Sequence, residues 1–386
     1  MWWLVLLLLA EPFDATFQAG LQALNQNNLA LAESRLEAAS KMEPRNPRVW
    51  LALAQTYWKL HKSPAAEAAA RKAEVFSTGA PILHGLALYY LETGNYSTAA
   101  GLEARYAQSD PGAAPHAAEL YLRAGQPKPA IELARKALAR NDRAEVHNLL
   151  GKAYEAAGDP ESAARELQTA IRQSPFEESY YFDLTQTLLK QQKFAAALDA
   201  LEAGRKNFDK STQLELAAGV AYYGLRRFPE AMDAFLRTIQ LEPQVEQPYV
   251  FLGRMLDQAE GRLPRITEVF ATFVKTAPNH YLSNFLYGKA LAVENPSRAE
   301  TLLRRSIALN EGFWESHFEL GALLDRQGRF EDAVREVRRS TELNPENAAA
   351  HYRLGRLYDR LGKAAEAQRE RDLHRKLLQP AGPVIK

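Results

Sequence analysis

The stretch VHNLLGKAYEAAGDPESAARELQTAIRQSP, residues 146–175, reads as two helices joined by a glycine turn. Leu150 and Tyr154 are four apart and share one helix face. Gly158 follows and supplies the left-handed residue that ends the first helix. The second helix runs through Ala163 and Ala170 and stops at Pro175. Proline lacks an N–H and disfavours helix in the residue before it.

Working outward, Ala163 belongs to a series: Ala32, Ala66, Ala99, Ala130, Ala163, Ala197, Ala231, Ala299, Ala333 and Ala367. The gaps are 34, 33, 31, 33, 34, 34, 68, 34 and 34, so the longest is two periods with one alanine missing. Taking that alanine as position twenty, units begin near Phe13, Pro47, Ala80, Pro111, Ala144, Glu178, Thr212, Glu246, Tyr281, Trp314 and Ala348. Position eight holds Gly20, Ala54, Ala87, Ala118, Gly151, Thr185, Gly219, Gly253, Gly288, Gly321 and Gly355. Small residues at these two points predict a close crossing of two antiparallel helices. Gly94, Gly125, Gly158, Gly328 and Gly362 fall at position fifteen, and Pro44, Pro175, Pro243, Pro278 and Pro345 near position thirty-two. A fixed period of this kind means stacked copies of one unit, and the stack owns the binding surface.

The pattern closely resembles the tetratricopeptide repeat (TPR). Leu150, Gly151, Tyr154, Ala163, Ala170 and Pro175 match in one unit. Trp50, Leu53, Tyr57, Ala66 and Ala73 match in a second, and Gly219, Tyr222, Ala231, Phe235 and Pro243 in a third. The resemblance covers residues 13–378 and implies an all-α, right-handed superhelical solenoid of about eleven helix-turn-helix units. Departures predict irregular stacking in three places: the unit from Ala80 is three residues short, the next carries four prolines, and the unit from Glu246 has an extra residue and Ile266 in place of alanine.

Composition excludes several function classes. The 386 residues carry 48 basic and 47 acidic side chains, a net charge of +1, so no global field attracts nucleic acid or acidic membranes. From Arg298 to Lys376 there are sixteen basic and fourteen acidic residues, so the Arg-rich end is nearly balanced too. The absence of cysteine removes disulfides, thiol catalysis and cysteine-ligated zinc.

The ends differ from the array. Trp2 to Ala10 is an unbroken apolar run. It is shorter than the roughly 20 residues of a membrane span and within the range of about 7–15 of a signal-peptide core. Residues 1–12 are therefore expected to be a hydrophobic leader, with Ala10 before a cleavage point and a periplasmic or secreted location. The alternative is an apolar turn covering the edge of the first unit in a cytoplasmic protein. The last helix, from Ala364 to Leu378, has Arg371 and His374 where the family has apolar residues, which suits a polar cap. Residues 379–386 contain Pro380, Gly382 and Pro383 and are expected to be disordered, leaving no second folded domain.

No catalytic constellation stands out: there is no P-loop, HExxH or calcium-loop string. His147, His317 and His351 share position four of their units. Equivalent positions are displaced by roughly 10 Å per packed layer, too far for zinc ligands about 2 Å from one ion. They are expected to be structural, with no metal and no cofactor. Arg254 with Asp257, and Arg356 with Asp359, are expected to form surface pairs three residues apart.

In the family, positions two, five, nine and twelve of the first helices line a concave groove. The resemblance places Gln55, Trp58, Glu119, Asn148, Lys152, Glu155, Gln186, Tyr223, Arg254, Asp257, Lys289, Asp325, Tyr352, Arg356 and Asp359 there. One TPR subgroup clamps a terminal carboxylate with Lys at five and Asn at nine of its first repeat. Here Asn148 and Lys152 stand in reverse order in a middle repeat, while Phe17 and Leu21 hold those positions in the first, so no carboxylate clamp is expected. The resulting expectation is a non-enzymatic scaffold that binds protein or extended peptide segments. Two other readings remain. One is a recognition subunit of a separate enzyme complex, of glycosyltransferase or envelope-protease type. The other is an RNA-binding helical-repeat protein, disfavoured by the neutral charge.

Overall fold

The computed structural model describes residues 12–77 and 79–379. The leader and the tail therefore lie outside the described residues, apart from Pro12 and Gln379. Among the described residues the chain is all α, with 22 α-helices, three short 3-10 turns and no strand. It divides into two compact units, one ending at Phe208 and the other starting at Asp209.

The first unit contains six hairpins: α1 (Phe13–Asn25) with α2 (Leu29–Met42), α3 (Pro47–Lys59) with α4 (Ser63–Val75), α5 (Ala80–Glu92) with α6 (Tyr96–Tyr106), α7 (Ala114–Arg123) with α8 (Pro127–Leu138), α9 (Ala144–Ala156) with α10 (Pro160–Gln173), and α11 (Glu178–Lys190) with α12 (Phe194–Arg205). The second contains five: α13 (Thr212–Gly224) with α14 (Phe228–Leu241), α15 (Gln247–Arg254) with α16 (Leu263–Thr276), α17 (Tyr281–Ala290) with α18 (Pro296–Leu309), α19 (Trp314–Arg326) with α20 (Phe330–Leu343), and α21 (Ala348–Arg360) with α22 (Ala364–Leu378).

Nine of the eleven turns between paired helices share one design, the exceptions being α15 to α16 and α17 to α18. Gly158 is left-handed at φ 79°, and the Asp159 N–H reaches back to the Tyr154 carbonyl at 2.9 Å, the closure of a Schellman motif. Sequence reasoning tied this turn to glycine. The structure shows the same left-handed backbone at Asn27, His61, Gln192 and Arg226, with φ of 57° to 59°. Hairpin closure overrides the residue's own preference at these four positions.

The crossing point of several hairpins is matched in size. A methyl group on Gly151 would lie 2.7 Å from Leu167 Cγ, and one on Gly321 2.4 Å from Val337 Cγ2. Gly20 faces Leu36 and Gly219 faces Phe235 in the same way. At two of the three units with alanine at position eight, Ala54 and Ala118, the residue sixteen further on is also alanine, Ala70 and Ala134, and all four are fully buried; at the third, Ala87 is followed at that spacing by Glu103. Interiors packed to crystal density tolerate either pairing but not two large partners.

Irregularity falls at the expected places. A 3-10 turn at Pro111–Ala113 precedes α7, and α6 has only 11 residues. Helix α15 is cut to eight residues and followed by 3-10 turns at Leu256–Gln258 and Glu260–Arg262. Arg262 pins this insertion by two hydrogen bonds, 2.9 and 2.7 Å, to the Asp233 carboxylate. Ile266 is fully buried in the alanine's place. The boundary between the two compact units, by contrast, coincides with none of the three slips. At the carboxy-terminal edge α22 buries only Ala367. Arg371 pairs with Asp359 at 2.6 Å, and His374 Nδ1 donates to the Ala348 carbonyl at 2.8 Å. No helix among the described residues is long and apolar enough to cross a membrane.

Candidate functional site: the first-helix faces

The histidines fall into a structural pattern. His147, His317 and His351 each donate from Nδ1 to a carboxylate nineteen residues on, Glu166, Glu336 and Glu370, at 2.6 to 2.7 Å. Each pair ties a first helix to its own second helix. His84 and His116 converge on one carboxylate, Glu103, at 2.9 Å each. Glu103 is only 1% exposed, so this triad joins α5, α6 and α7. No group of three acidic or imidazole side chains among the described residues is arranged to hold a metal ion.

In the first unit the candidate residues divide by position along the stack. Gln55 and Trp58 on α3 are half-buried, and Trp58 packs on the amino-terminal core. Glu119 on α7 is exposed and bonds Arg123 of its own helix at 2.8 Å. On α9 and α11 the candidates meet across the gap between first helices. The buried Asn148 donates to Asp183 Oδ2 at 2.7 Å, and Lys152 pairs with the same oxygen at 2.9 Å. Glu155 accepts from Thr187 Oγ1 at 3.0 Å and pairs with Lys190. Gln186, half-buried beside this network, makes no side-chain hydrogen bond among the described residues.

In the second unit the face is aromatic at one end and charged at the other. Tyr223 on α13 meets Phe251 edge-on, 5.2 Å between centroids, and Arg254 lies 5.8 Å from the same Phe251 ring. Lys289 on α17 bonds Glu319 on α19 at 3.0 Å. Asp325 on α19 receives Arg360 at 2.5 Å and Arg353 at 3.8 Å from α21. Arg353 also sits 5.0 Å from the Phe318 ring, and burial pushes its guanidinium below its ordinary pKa against the pull of Glu319 and Asp325. Glu315, half-buried at the start of α19, has its carboxyl raised by burial despite the nearby charges of Arg254 and Lys289. Tyr352 is 48% exposed, with Arg356 over its ring at 6.0 Å.

Two expectations fail here. Asp257 is not on a first helix: α15 ends at Arg254 and Asp257 lies in the following 3-10 turn, so it forms no helical pair with Arg254. Asp359 pairs with Arg371 on α22 rather than with Arg356, whose guanidinium lies over the Tyr352 ring instead. The residues that sequence reasoning missed share a phase. Asp183, Glu319 and Arg353 stand at position six, and Lys190 and Arg360 at position thirteen. These positions lie one residue beyond five and twelve, and they supply the partners that cross from one first helix to the next. Extending the face by one residue would have found all five; Glu315, at position two, needed only its charge to be noticed.

The tetratricopeptide repeat family profile matches residues 17–81, 117–178, 182–246, 289–337 and 318–369. The chain belongs to the TPR family. No curated protein sequence matches it. Similar solved structures include yeast Tom70, at 14% identity over 95% of this chain and 92% of that one, with a TM-score of 0.43. The Naa15/Naa10 complex bound to HypK-THB gives 12% identity over 94% and 68%, with a TM-score of 0.43. PilW, a type IV pilus biogenesis factor, gives 20% identity over 50% and 90%, also with a TM-score of 0.43. TPR membership is consistent with a protein-interaction scaffold.

Proposed function

We propose that this TPR protein is a non-enzymatic scaffold that binds an extended protein or peptide segment along its first-helix faces. One observation carries the reading. Most charges on these faces are already paired between neighbouring first helices, which sets the surface in advance, while Arg254, Arg356 and Tyr352 stand exposed and in no ion pair. A preset surface with a few free polar and aromatic groups lowers the ordering cost of binding and leaves contacts for specificity. Cross-linking pull-down from the native source tests it. The partner recovered with the native chain should be lost with Arg254→Glu and Arg356→Glu together, and a partner retained at full affinity removes the face from the mechanism. Lys152→Glu is a poorer probe, because it would set a second carboxylate against Asp183.

An exported location goes with this proposal and rests on the apolar run from Trp2 to Ala10. Mass spectrometry of the mature protein should find an amino terminus at Glu11. An intact Met1 would overturn export by cleavage.

A further inference from the structure

A cavity of about 560 Å³ opens between the second helices α6 and α8 in the first unit, on different residues from the candidate face. Its cause lies in the repeat pattern. In three other hairpins the tyrosine at position eleven is held by position twenty-five of the preceding hairpin. Tyr57 Oη donates to Glu37 at 2.8 Å, Tyr358 Oη accepts from Arg338 at 2.6 Å, and Tyr154 Oη accepts from Arg135. For Tyr121 the same position is Ala104. The truncated side chain leaves a space, and the Oη of Tyr121, half-buried on the cavity wall, makes no hydrogen bond among the described residues.

The surroundings say what would fill that space. Gly101 and Ala104 on one side, and Leu133 and Ala137 on the other, give apolar walls. Arg105, Lys136 and Arg140 bring three positive charges against one carboxylate, Glu132. Arg105 is held by Glu74 at 2.8 Å and Lys136 by Glu132 at 2.7 Å. Arg140 has no side-chain partner among the described residues. An unpaired guanidinium and an unpaired phenol beside apolar walls match a carboxylate on an apolar body. Tyr57 already bonds such a group, the Glu37 side chain of the preceding hairpin.

We propose that this cavity binds a small organic carboxylate, with Tyr121 Oη donating to the acid group, Arg140 balancing its charge and the walls covering its apolar part. The site stands apart from the first-helix faces and does not depend on their function.

Titration calorimetry with 3-phenylpropionate, with 3-phenylpropanol as the uncharged control, tests it on the full chain. Saturable binding of the acid is expected at millimolar concentration or below, with the alcohol at least tenfold weaker. Tyr121→Phe, which keeps the ring, should weaken the acid about tenfold, as for loss of one hydrogen bond to a charged group. Ala104→Glu restores the missing partner from within, so it should abolish binding. Absence of saturable acid binding by the native chain overturns the proposal. So does equal affinity for acid and alcohol, or undiminished binding by Tyr121→Phe or by a folded Ala104→Glu.

Discussion

Gly219→Ala is the sharpest probe of the size matching at the hairpin crossings. The added methyl would lie 2.5, 2.7 and 2.8 Å from three carbons of the Phe235 ring, where contact normally begins at about 3.5 Å. The ring must therefore retreat by about 1 Å. It is fully buried and stacks on Phe251 with centroids 4.7 Å apart and planes 8° from parallel. Retreat therefore disturbs a packed aromatic cluster that includes Phe251 and its edge-on neighbour Tyr223. Overpacking of this kind costs about 1–3 kcal/mol, and replacing glycine in a helix returns up to about 1 kcal/mol. The net expectation is a loss of up to about 2 kcal/mol.

The background decides whether that account is right. Phe235→Ala alone should cost about 3–5 kcal/mol, but combined with Gly219→Ala it recreates the alanine pair seen at Ala54 with Ala70 and Ala118 with Ala134. In that background Gly219→Ala meets no ring, so only the helix term remains and the sign reverses to a gain of up to about 1 kcal/mol. Stacked repeats need not unfold in one step, so amide hydrogen exchange in α13 and α14 is the suitable measure. The same cost for Gly219→Ala in both backgrounds would refute the size-matching argument.

Other outcomes follow from particular contacts. Glu103→Ala strips the shared acceptor from His84 and His116; because these imidazoles are 40% and 39% exposed and can reach water, the loss should be about 2 kcal/mol, read by thermal unfolding. Arg226→Gly and Gln192→Gly relieve left-handed backbone at φ 59° and 57° and should each raise stability by about 0.5–1 kcal/mol in urea titration. Burial raises the Glu315 carboxyl, so the folded chain holds its proton to higher pH than the unfolded one, and stability falls as pH rises through that window; Glu315→Gln should remove the slope and be the more stable form above it. Asp233 has the opposite sign: Arg262 holds its carboxyl below the usual range, so its contribution is present above the unfolded value and lost as pH falls through the folded one, and Arg262→Ala should flatten that acid limb.

The fold was legible because the features that set it recur at fixed spacing. A lone glycine is ambiguous, but Gly158, Gly328 and Gly362 at one phase read as a helix stop. The same averaging hid what was particular to each hairpin. Left-handed turns at His61 and Arg226 carry no local signal, since closure imposes them. Asp257 was misplaced because the periodic frame was carried past the residue where α15 ends. The partners of the candidate face were missed for a geometric reason: single-helix phase shows which side chains share a face, whereas Asp183 and Glu319 matter by reaching a neighbouring helix. Ala104 follows the same logic in reverse. Its importance comes from Glu37, Arg135 and Arg338 at the equivalent positions, each bonded to the tyrosine that follows. In an array of near-copies, therefore, the departures inform most: of the residues at position twenty-five that precede a tyrosine, Ala104 before Tyr121 is the small one, and it opens a space that longer side chains occupy at Glu37, Arg135 and Arg338.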